Sequence, residues 1–392
     1  MRANNGWKGH FDIANFYRGS NGDNSLEDVA RDFLGEGKDP MDREKLGSDW
    51  DYVNRNWADV VKYGVKDAEL TARLGDILVD SVYELYGVYP RVLYSNASVS
   101  KAWLQVHKTW LKGYYRKFAK ENPHFAQIMY RAYRGGIFLA NILGKVDDVY
   151  EYDINSAYPA ALRGLPRIDY LTWRVYPGYV RGLMGFHLVG LKYDGKLPVP
   201  YRTRRRNLYP RSDRGLMTFL TTPEVEYLSR RGMITHVYWS LVGDGPRTAA
   251  FPEVGEMYNR RLEEKRLYKA TKDKRHDIAQ WGIKIVMNAL YGVLAQAKPH
   301  VGAFTHYAYA AYITALTRIR IWWLVDRVGP DNVVSVATDA LITTQPVKSS
   351  NIDVDSLGGW KTEFAHRVVY SYQNGLRITV DPAKPLEKEL RK

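Results

Sequence analysis

"VYEYDINSAYPAAL" (149–162) is the stretch that decides the fold. It begins like a buried strand and then turns abruptly at Asn155, Ser156 and Pro159. Asp153 lies at the end of this strand, and Tyr158 follows five residues later. A single acid at a strand end is most often a turn or helix cap, and a single tyrosine is most often core. Their meaning therefore depends on what the rest of the chain places beside them.

Composition and charge favour a polyanionic partner. The 392 residues suit two or three domains, and 45% of them are hydrophobic, which is enough for real cores. Lysine and arginine number 57 against 43 acids, which gives a formal net charge of +14. Basic surface neutralises phosphates and releases counterions, so nucleic acid is favoured, although a membrane surface would attract the same charge. The 30 tyrosines and 11 tryptophans add rings on which bases can stack.

Cysteine is absent, which excludes a disulfide framework, a thiolate zinc site and a thiol nucleophile. The first residues, "MRANNGWKGHFD", lack the apolar run of a signal peptide. The most apolar stretch, 306–325, carries Arg318 and Arg320, a pattern typical of a buried helix rather than a membrane span. We expect an intracellular protein without a membrane partner.

The first third of the chain has helical patterns. Residues 25–34 begin with Ser25 and Asp28 in a capping-box pattern and end before Gly35. Further helices are predicted over 57–86, broken near Gly64, and over 101–134, ending at a pair of glycines.

After residue 149 the patterns are mixed. The spacing predicts a strand at 185–193, a short helix at 221–232, two helices at 252–275 and 277–296, and a β-hairpin at 332–344 with Asp339 at its tip.

Two acids and one helix face form a chemical pattern. Asp153 ends one strand, and Asp339 lies in a tight turn between two others. Lys284, Asn288 and Tyr291 recur at i, i+4 and i+7, which places them on one face of a helix. Two carboxylates can hold a pair of magnesium ions, and a lysine supplies positive charge for a triphosphate. The pattern therefore indicates phosphoryl transfer.

These stretches resemble the motifs of family B DNA polymerases. "YDINSAYPAAL" is similar to motif A, "KIVMNALYG" (284–292) to motif B and "ATDALI" (337–342) to motif C, and they occur in the family order. "YRGG" (133–136) resembles the linker motif before the palm. "LGGWK" (357–361) is similar to the start of the thumb in the protein-primed phage branch.

The resemblance implies an α+β fold shaped as a right hand. The implied domains are a remnant or truncated exonuclease-like domain of partial RNase H-like fold at 1–125, the first part of the palm at 126–250, helical fingers at 251–300, the second part of the palm at 301–355 and a short or truncated thumb at 356–392.

The resemblance also implies the metal site. Asp153 and Asp339, with the carbonyl of Ile154, would hold two Mg²⁺ ions, for which Mn²⁺ could substitute. Tyr158 would lie under the sugar of the incoming nucleotide and exclude a ribose.

The remaining site residues are implied in the same way. Lys284, Arg261 and Lys265 would hold the triphosphate, and Asn288 and Tyr291 would line the pocket of the new base pair. An alternative is that Arg261 and Lys265 form the basic side of a surface helix. The expected DNA contacts are Tyr133, Arg134, Gly135, Gly136 and Lys361.

Some positions depart from the family pattern. Motif C has Ala337 and Ala340 where the family usually has an aspartate and a serine, and motif B has Ala289 in place of serine. "YGVKDAEL" (63–70) resembles the third exonuclease motif, with Tyr63 and Asp67 at its key positions, but no stretch matches the first two motifs. The nearest upstream acid, Asp12, does not resemble either one. We therefore expect no proofreading by this chain alone.

The sequence predicts a DNA-templated DNA polymerase that extends a primer with deoxynucleoside triphosphates. Two alternatives stay open: a catalytically weakened, polymerase-like nucleic-acid-binding subunit, which the altered motif C favours, and a primase-like or template-independent nucleotidyltransferase. The expected partners are primer-template DNA and the nucleotides, and a second chain could supply exonuclease or thumb parts. The expected place of action is the cytoplasm of a host cell, with a phage, virus or plasmid as the source.

Overall fold

The computed structural model describes residues 13–17, 25–89, 96–193, 195, 199–203, 207–209, 215–297, 301–347 and 355–382. The chain divides into two compact units. The first unit comprises Met1–Thr109 with Glu256–Val293, and the second comprises Trp110–Gly255 with Leu294–Lys392. The first unit thus ends before the boundary expected at residue 125 and includes most of the expected fingers.

The helices, in chain order, are α1 Ala14–Tyr17, α2 Leu26–Leu34, α3 Arg43–Ser48, α4 Trp50–Arg55, α5 Trp57–Tyr86, α6 Asn96–His107, α7 Tyr114–Glu121, α8 Pro123–Ala132, α9 Ala157–Arg163, α10 Thr222–Arg230, α11 Glu253–Thr271, α12 Lys274–Leu294 and α13 Tyr307–Val328. The strands are β1 Phe138–Ala140, β2 Gly144–Ile154, β3 Thr172–Pro177, β4 Met184–Leu191, β5 Tyr201–Arg202, β6 Asn207–Leu208, β7 Leu216–Thr221, β8 Ile234–Asp244, β9 Val333–Ala337, β10 Ala340–Thr343, β11 Trp360–Gln373 and β12 Leu376–Val380.

Helix signals in the sequence are confirmed where caps are strong. The Ser25 hydroxyl accepts from the Asp28 amide at 3.2 Å, and α2 ends at Gly35, whose φ is 72°. α10 begins at Thr222 with Pro223 in its first turn, as predicted.

Two helix predictions were wrong in detail. α5 runs through Gly64 without a break, because the buried positions Tyr63, Leu70 and Leu74 recur at helical spacing and outweigh the glycine. The single helix expected over 101–134 divides into α6, α7 and α8. Gly113, with φ of 73°, precedes α7.

The described part of the first unit is helical throughout. Its elements are α1 to α6 with most of α11 and α12. A sheet, which an RNase H-like fold requires, is therefore not seen among the described residues before Trp110. Asp67, the acid of the exonuclease-like stretch, forms an ion pair with Lys38 at 2.6 Å, and Lys38 also donates to the Tyr63 hydroxyl at 3.3 Å.

A six-stranded sheet organises the second unit. Its order is β1-β9-β10-β2-β11-β12, and neighbouring strands run antiparallel. β2 therefore lies inside the sheet, between β10 and β11. Tyr152, Ile154, Val336 and Leu341 are buried in the core beneath these strands.

A second, four-stranded sheet of order β3-β8-β4-β7 belongs to the same unit. α13 packs near α9, α8 and α10, and most of its residues are buried. Its Arg318 is fully buried and forms an ion pair with the equally buried Glu224 at 2.7 Å. This pairing explains how an arginine fits a helix with so little exposed surface. Within the described ranges, no helix has the length and apolarity needed to cross a membrane.

The described residues of the segment expected to be a short or truncated thumb form two strands. Residues 360–373 form β11 and 376–380 form β12, and both strands extend the six-stranded sheet. β11 is half-buried: most of its residues are partly or fully exposed, and Val369 and Ser371 are buried.

Candidate active site

Asp153 is the penultimate residue of β2. The strand register pairs it with Ala340 of β10 on one side and with Lys361 of β11 on the other. Two residues after the strand ends the chain has left the sheet at Ser156, whose φ of 51° is left-handed, and α9 begins at Ala157. Because pairing on both sides fixes the strand, the position of the Asp153 carboxylate is determined by the sheet.

Asp339 lies in the two-residue turn between β9 and β10. Ala337 pairs with Ala340 across this hairpin, and Thr338 has a φ of 56°. The carbonyl oxygen of Asp339 accepts a hydrogen bond from the Ile154 amide at 3.0 Å. The hairpin tip is thereby tied to the end of β2, and the two acids that the sequence interpretation paired are brought together.

The two carboxylates influence each other electrostatically. Burial and the neighbouring Asp339 charge raise the pKa of Asp153 to about 7, although the Lys361 ammonium opposes this shift. The side chain of Asp153 keeps 25% of its surface exposed. A pair of acids that repel each other in a partly buried site is stabilised by a cation, which is the electrostatic requirement of a metal site.

Lys361 supplies a positive charge beside these acids. Its ammonium lies 3.2 Å from Oδ2 of Asp153 and also contacts the Glu363 carboxylate. Burial acts to lower the pKa of Lys361, but Glu363 and Asp153 outweigh burial and raise it. Glu363 was not identified from the sequence. Its signal is the acid two residues after the lysine in "K-T-E", but strand alternation alone does not place it, because the register against β2 shifts between Thr362 and Phe364.

The loop before Lys361 is anchored to the turn after Asp153. The Asn155 amide donates to the Gly359 carbonyl at 2.8 Å, and the Gly358 amide donates to the Asn155 carbonyl at 2.8 Å. Gly358 has a φ of 81°, and a Cβ there would lie 2.8 Å from the Ala160 methyl of α9. Only glycine fits this approach, which holds the beginning of β11 against the turn.

Gly136 makes a second close approach. A Cβ at Gly136 would lie 2.5 Å from the Thr338 methyl and 3.3 Å from the Tyr158 hydroxyl oxygen. The Thr338 amide also donates to the Ile137 carbonyl at 2.7 Å. The glycine linker, the hairpin tip and Tyr158 therefore meet at one place. Burial, and after it the Asp339 charge, raises the pKa of Tyr158 to about 12.

Arg134 differs from its expected role as a DNA contact. Its side chain is buried, and its guanidinium donates to the Thr218 hydroxyl at 2.7 Å and to the Phe219 carbonyl. The Gly135 carbonyl accepts from the buried Arg318. These contacts fix the linker to β7 and α13, a structural role that the sequence pattern did not reveal.

Tyr133 keeps a partly exposed ring. The ring stacks on that of Tyr307, with their centroids 6.0 Å apart. The Arg202 guanidinium also donates to the Tyr133 carbonyl. These contacts hold the tyrosine at the beginning of the linker.

The other expected nucleotide contacts belong to the first unit. Lys284, Asn288 and Tyr291 lie on α12 as one stripe, with Asn288 exposed and the other two partly buried. The Lys284 ammonium lies 4.5 Å from the centre of the Trp281 ring on the same helix. On α11, Lys265 is partly buried. Arg261 keeps only 7% exposure, and burial lowers its pKa.

The donors that the chain presents limit which metal the site could hold. Among the residues that the structure describes, no group of three or more His, Cys, Asp or Glu could hold an ion. Asp153 and Asp339 thus form a pair of hard oxygen donors. Such a pair fits Mg²⁺, which keeps several waters and takes substrate phosphates as further ligands.

Comparison with known proteins shows the family. The model for type B DNA polymerases of organelles and viruses matches residues 38–300. A DNA polymerase of Acidianus bottle-shaped virus (isolate Italy/Pozzuoli) is 25% identical over 345 residues, which are 84% of this chain and 49% of the viral protein. The chain therefore spans about half the length of this curated relative.

Solved structures show the fold. Phi29 DNA polymerase in a ternary complex with primer-template DNA and incoming nucleotide has a TM-score of 0.63 at 18% identity, covering 91% of this chain and 66% of the phi29 chain. An orthorhombic crystal form of the same polymerase has a TM-score of 0.61 at 16% identity, with the same coverage. The α+β right-hand fold expected from the three motifs is confirmed by this likeness. The chain belongs to the type B DNA polymerases of organelles and viruses.

Proposed function

We propose that the chain is a DNA-templated DNA polymerase that adds deoxynucleotides to the 3′ end of a primer by two-metal phosphoryl transfer. The observation that carries the proposal is the junction of Asp153 and Asp339, joined through the Ile154–Asp339 hydrogen bond of 3.0 Å. Family membership and the names of the viral and phi29 relatives support the same activity.

The two carboxylates are the proposed holders of Mg²⁺, or of Mn²⁺ in its place, and the Ile154 carbonyl is a third proposed ligand. When bound, the ions supply positive charge that lowers the pKa of the primer hydroxyl and neutralises the leaving pyrophosphate. The primer oxygen forms a bond to the α-phosphorus as the bond to pyrophosphate breaks. The role of the sheet is to hold Asp153 and Asp339 at a fixed separation throughout.

Tyr158 is the proposed sugar selector. Its hydroxyl lies near Gly136 and Thr338, so the ring is held beside the hairpin turn that carries Asp339. A ring fixed there can occupy the volume that a ribose 2′-hydroxyl needs, which excludes ribonucleotides by sterics.

Lys284 and Lys265 are proposed to hold the triphosphate, and Asn288 and Tyr291 to line the base-pair pocket. The single stripe on α12 supports this assignment. Arg261 is so deeply buried that we propose it as a support for α11 near the triphosphate rather than as a direct ligand.

The proposed DNA contacts are Tyr133, the backbone of Gly135 and Gly136, and Lys361. Gly135 has a φ of 73° and nothing within 4 Å of its Cβ position, so its backbone is open to close approach by a phosphate. The proposed partners are primer-template DNA and deoxynucleoside triphosphates, together with a second chain that supplies exonuclease or thumb parts. We also propose viral encoding, action in the host cytoplasm and no proofreading by this chain alone.

A primer-extension assay tests the proposal. The purified chain is incubated with a 5′-labelled primer, a template, the four deoxynucleotides and Mg²⁺ or Mn²⁺, and product length is followed on a gel. Template-dependent extension is the expected result. A lack of incorporation with either metal contradicts it and favours a binding subunit. Extension without a template, or synthesis without a primer, favours the transferase or primase alternative.

A further inference from the structure

Lys361 lies between two carboxylates at the proposed metal site. Its ammonium is 3.2 Å from Oδ2 of Asp153 and also contacts Oε1 of Glu363. The exposed fractions of these side chains are 27% for Lys361, 25% for Asp153 and 41% for Glu363. All three are thus partly shielded from water, and Glu363 is the one nearest to solvent.

The sheet dictates this arrangement. Lys361 is the direct cross-strand partner of Asp153, and Glu363 follows two residues later, where the register of β11 against β2 shifts between Thr362 and Phe364. Hydrogen bonds between Asn155 and the two glycines before Trp360 hold the beginning of β11. The Lys361 backbone is therefore fixed, while its four-carbon side chain can turn about its own bonds.

An ammonium and a divalent ion compete for the same carboxylate. A lone pair of Asp153 that accepts from Lys361 cannot at the same time coordinate Mg²⁺. A positive charge a few ångströms away also opposes the binding of a second cation. Glu363 offers the ammonium a second anionic partner within reach of the same side chain. The ammonium contacts both acids in the structure, so it can keep Glu363 as a partner if Asp153 takes another cation.

We propose that Lys361 is an internal counter-ion for Asp153 that a divalent cation must displace, and that Glu363 receives the ammonium when the cation binds. The inference rests on the proposed function, since that function makes Asp153 a metal ligand. In the metal-free protein Lys361 neutralises Asp153 and limits the repulsion from Asp339. In the loaded protein the pair Lys361–Glu363 leaves Asp153 available. Lys361 thereby sets the divalent-ion concentration at which the site fills.

The test measures binding of Mn²⁺ alone to the full chain, by electron paramagnetic resonance of free Mn²⁺, without DNA or nucleotide. Lys361→Met removes the charge and keeps the length of the side chain, and we expect Mn²⁺ binding to tighten about tenfold or more. Glu363→Gln removes the alternative partner, and we expect binding to weaken about tenfold. The control is Lys145→Met, which removes the partner of Asp147 near the opposite end of β2 and should leave binding unchanged.

The double variant Lys361→Met/Glu363→Gln separates two roles for Glu363. If Glu363 only receives the lysine, its substitution has no effect once the lysine is gone, and the double variant binds Mn²⁺ as tightly as Lys361→Met. A double variant that binds markedly more weakly makes Glu363 a direct ligand and overturns the proposal.

Two further outcomes have distinct meanings. Unchanged Mn²⁺ affinity in Lys361→Met, with binding still lost in Asp153→Asn, overturns this inference and leaves the proposed function standing. A wild-type chain that binds no Mn²⁺ at millimolar concentration overturns the metal site itself, and the inference with it. Circular dichroism of each variant checks that the fold is retained.

Discussion

The Ile154 amide donates a hydrogen bond of 3.0 Å to the carbonyl oxygen of Asp339. This bond joins the end of β2 to the hairpin tip through the backbone rather than through the two carboxylates. Substituting either carboxylate should therefore alter the charge of the site and leave its frame intact. The first prediction follows from this difference between the charge of the site and its backbone frame.

We expect Asp153→Asn and Asp339→Asn each to reduce nucleotide incorporation by on the order of a thousandfold, because each removes one anionic metal ligand. Primer extension measures the loss, and DNA binding measured by gel shift should persist. Asp147→Asn, an exposed residue of the same strand, is the matched control. Activity within about tenfold of wild type would remove that acid from the metal site.

The pH dependence of stability depends on Asp153. Its pKa is about 7 in the folded protein against an ordinary value of 3.8, so the folded state holds more protons between these values. Stability of the metal-free protein therefore falls as pH rises from about 4 through about 7. The charged groups that face Asp153 are Asp339, Lys361 and Glu363.

Asp153→Asn should remove this loss. We expect its melting temperature without metal to exceed that of wild type by on the order of a few degrees at pH 8, with the difference shrinking towards pH 4. Differential scanning calorimetry in EDTA measures it. A variant that is less stable than wild type at pH 8 contradicts the assignment of a destabilising charge to this position.

Tyr158→Ala should admit ribonucleotides, while use of deoxynucleotides falls modestly. The ring is required to fill space, so its loss changes selectivity more than chemistry. The ratio of kcat/KM for a deoxynucleotide and its ribonucleotide is the measurement. Tyr372→Ala, on the exposed side of β11, is the control. An unchanged ratio assigns Tyr158 to the core.

Gly136→Ala should impair activity because the new methyl group meets Thr338 at 2.5 Å and the Tyr158 hydroxyl at 3.3 Å. The hairpin tip must move, and Asp339 moves with it. We expect kcat to fall more than about tenfold, since small displacements of catalytic groups are costly. Gly164→Ala is the control, since a Cβ at Gly164 meets nothing within 4 Å. If the two variants are equally active, the close contact of Gly136 with Thr338 and Tyr158 does not constrain the site.

Lys284→Ala should raise KM for deoxynucleotides by roughly tenfold to a hundredfold, the value of one hydrogen bond to a charged group. Steady-state kinetics at saturating primer-template measures it. Lys269→Ala, an exposed lysine of α11, should leave KM unchanged. An effect confined to DNA affinity would reassign Lys284 to the template or primer.

The sequence predicted those parts of the fold that depend on local patterns. The capped helix at Ser25, the paired helices α11 and α12, and the hairpin at Asp339 have strong local signals. Asp153 and Asp339 could be paired because their motifs carry the acids at strand ends. Local patterns also failed where tertiary context decides. Gly64 lies inside α5 because the buried face continues past it, and the single helix expected over 101–134 is divided into α6, α7 and α8.

The buried contacts were beyond sequence reasoning. Arg134 looks like a phosphate ligand until the structure shows Thr218 and Phe219 around its guanidinium. The Arg318–Glu224 pair joins residues far apart in the sequence. No local spacing encodes such a pairing, because it arises only when α10 and α13 pack together.

The order of the six-stranded sheet has a consequence for biosynthesis. β2 needs β10 and β11 as neighbours, and Lys361, the partner of Asp153, is translated about 200 residues after it. During that interval β2 leaves the ribosome with both edges unpaired, and unpaired edges invite association with other chains. Strands that are far apart in the sequence pair slowly, so the nascent polypeptide is a candidate for chaperone protection until β11 has emerged.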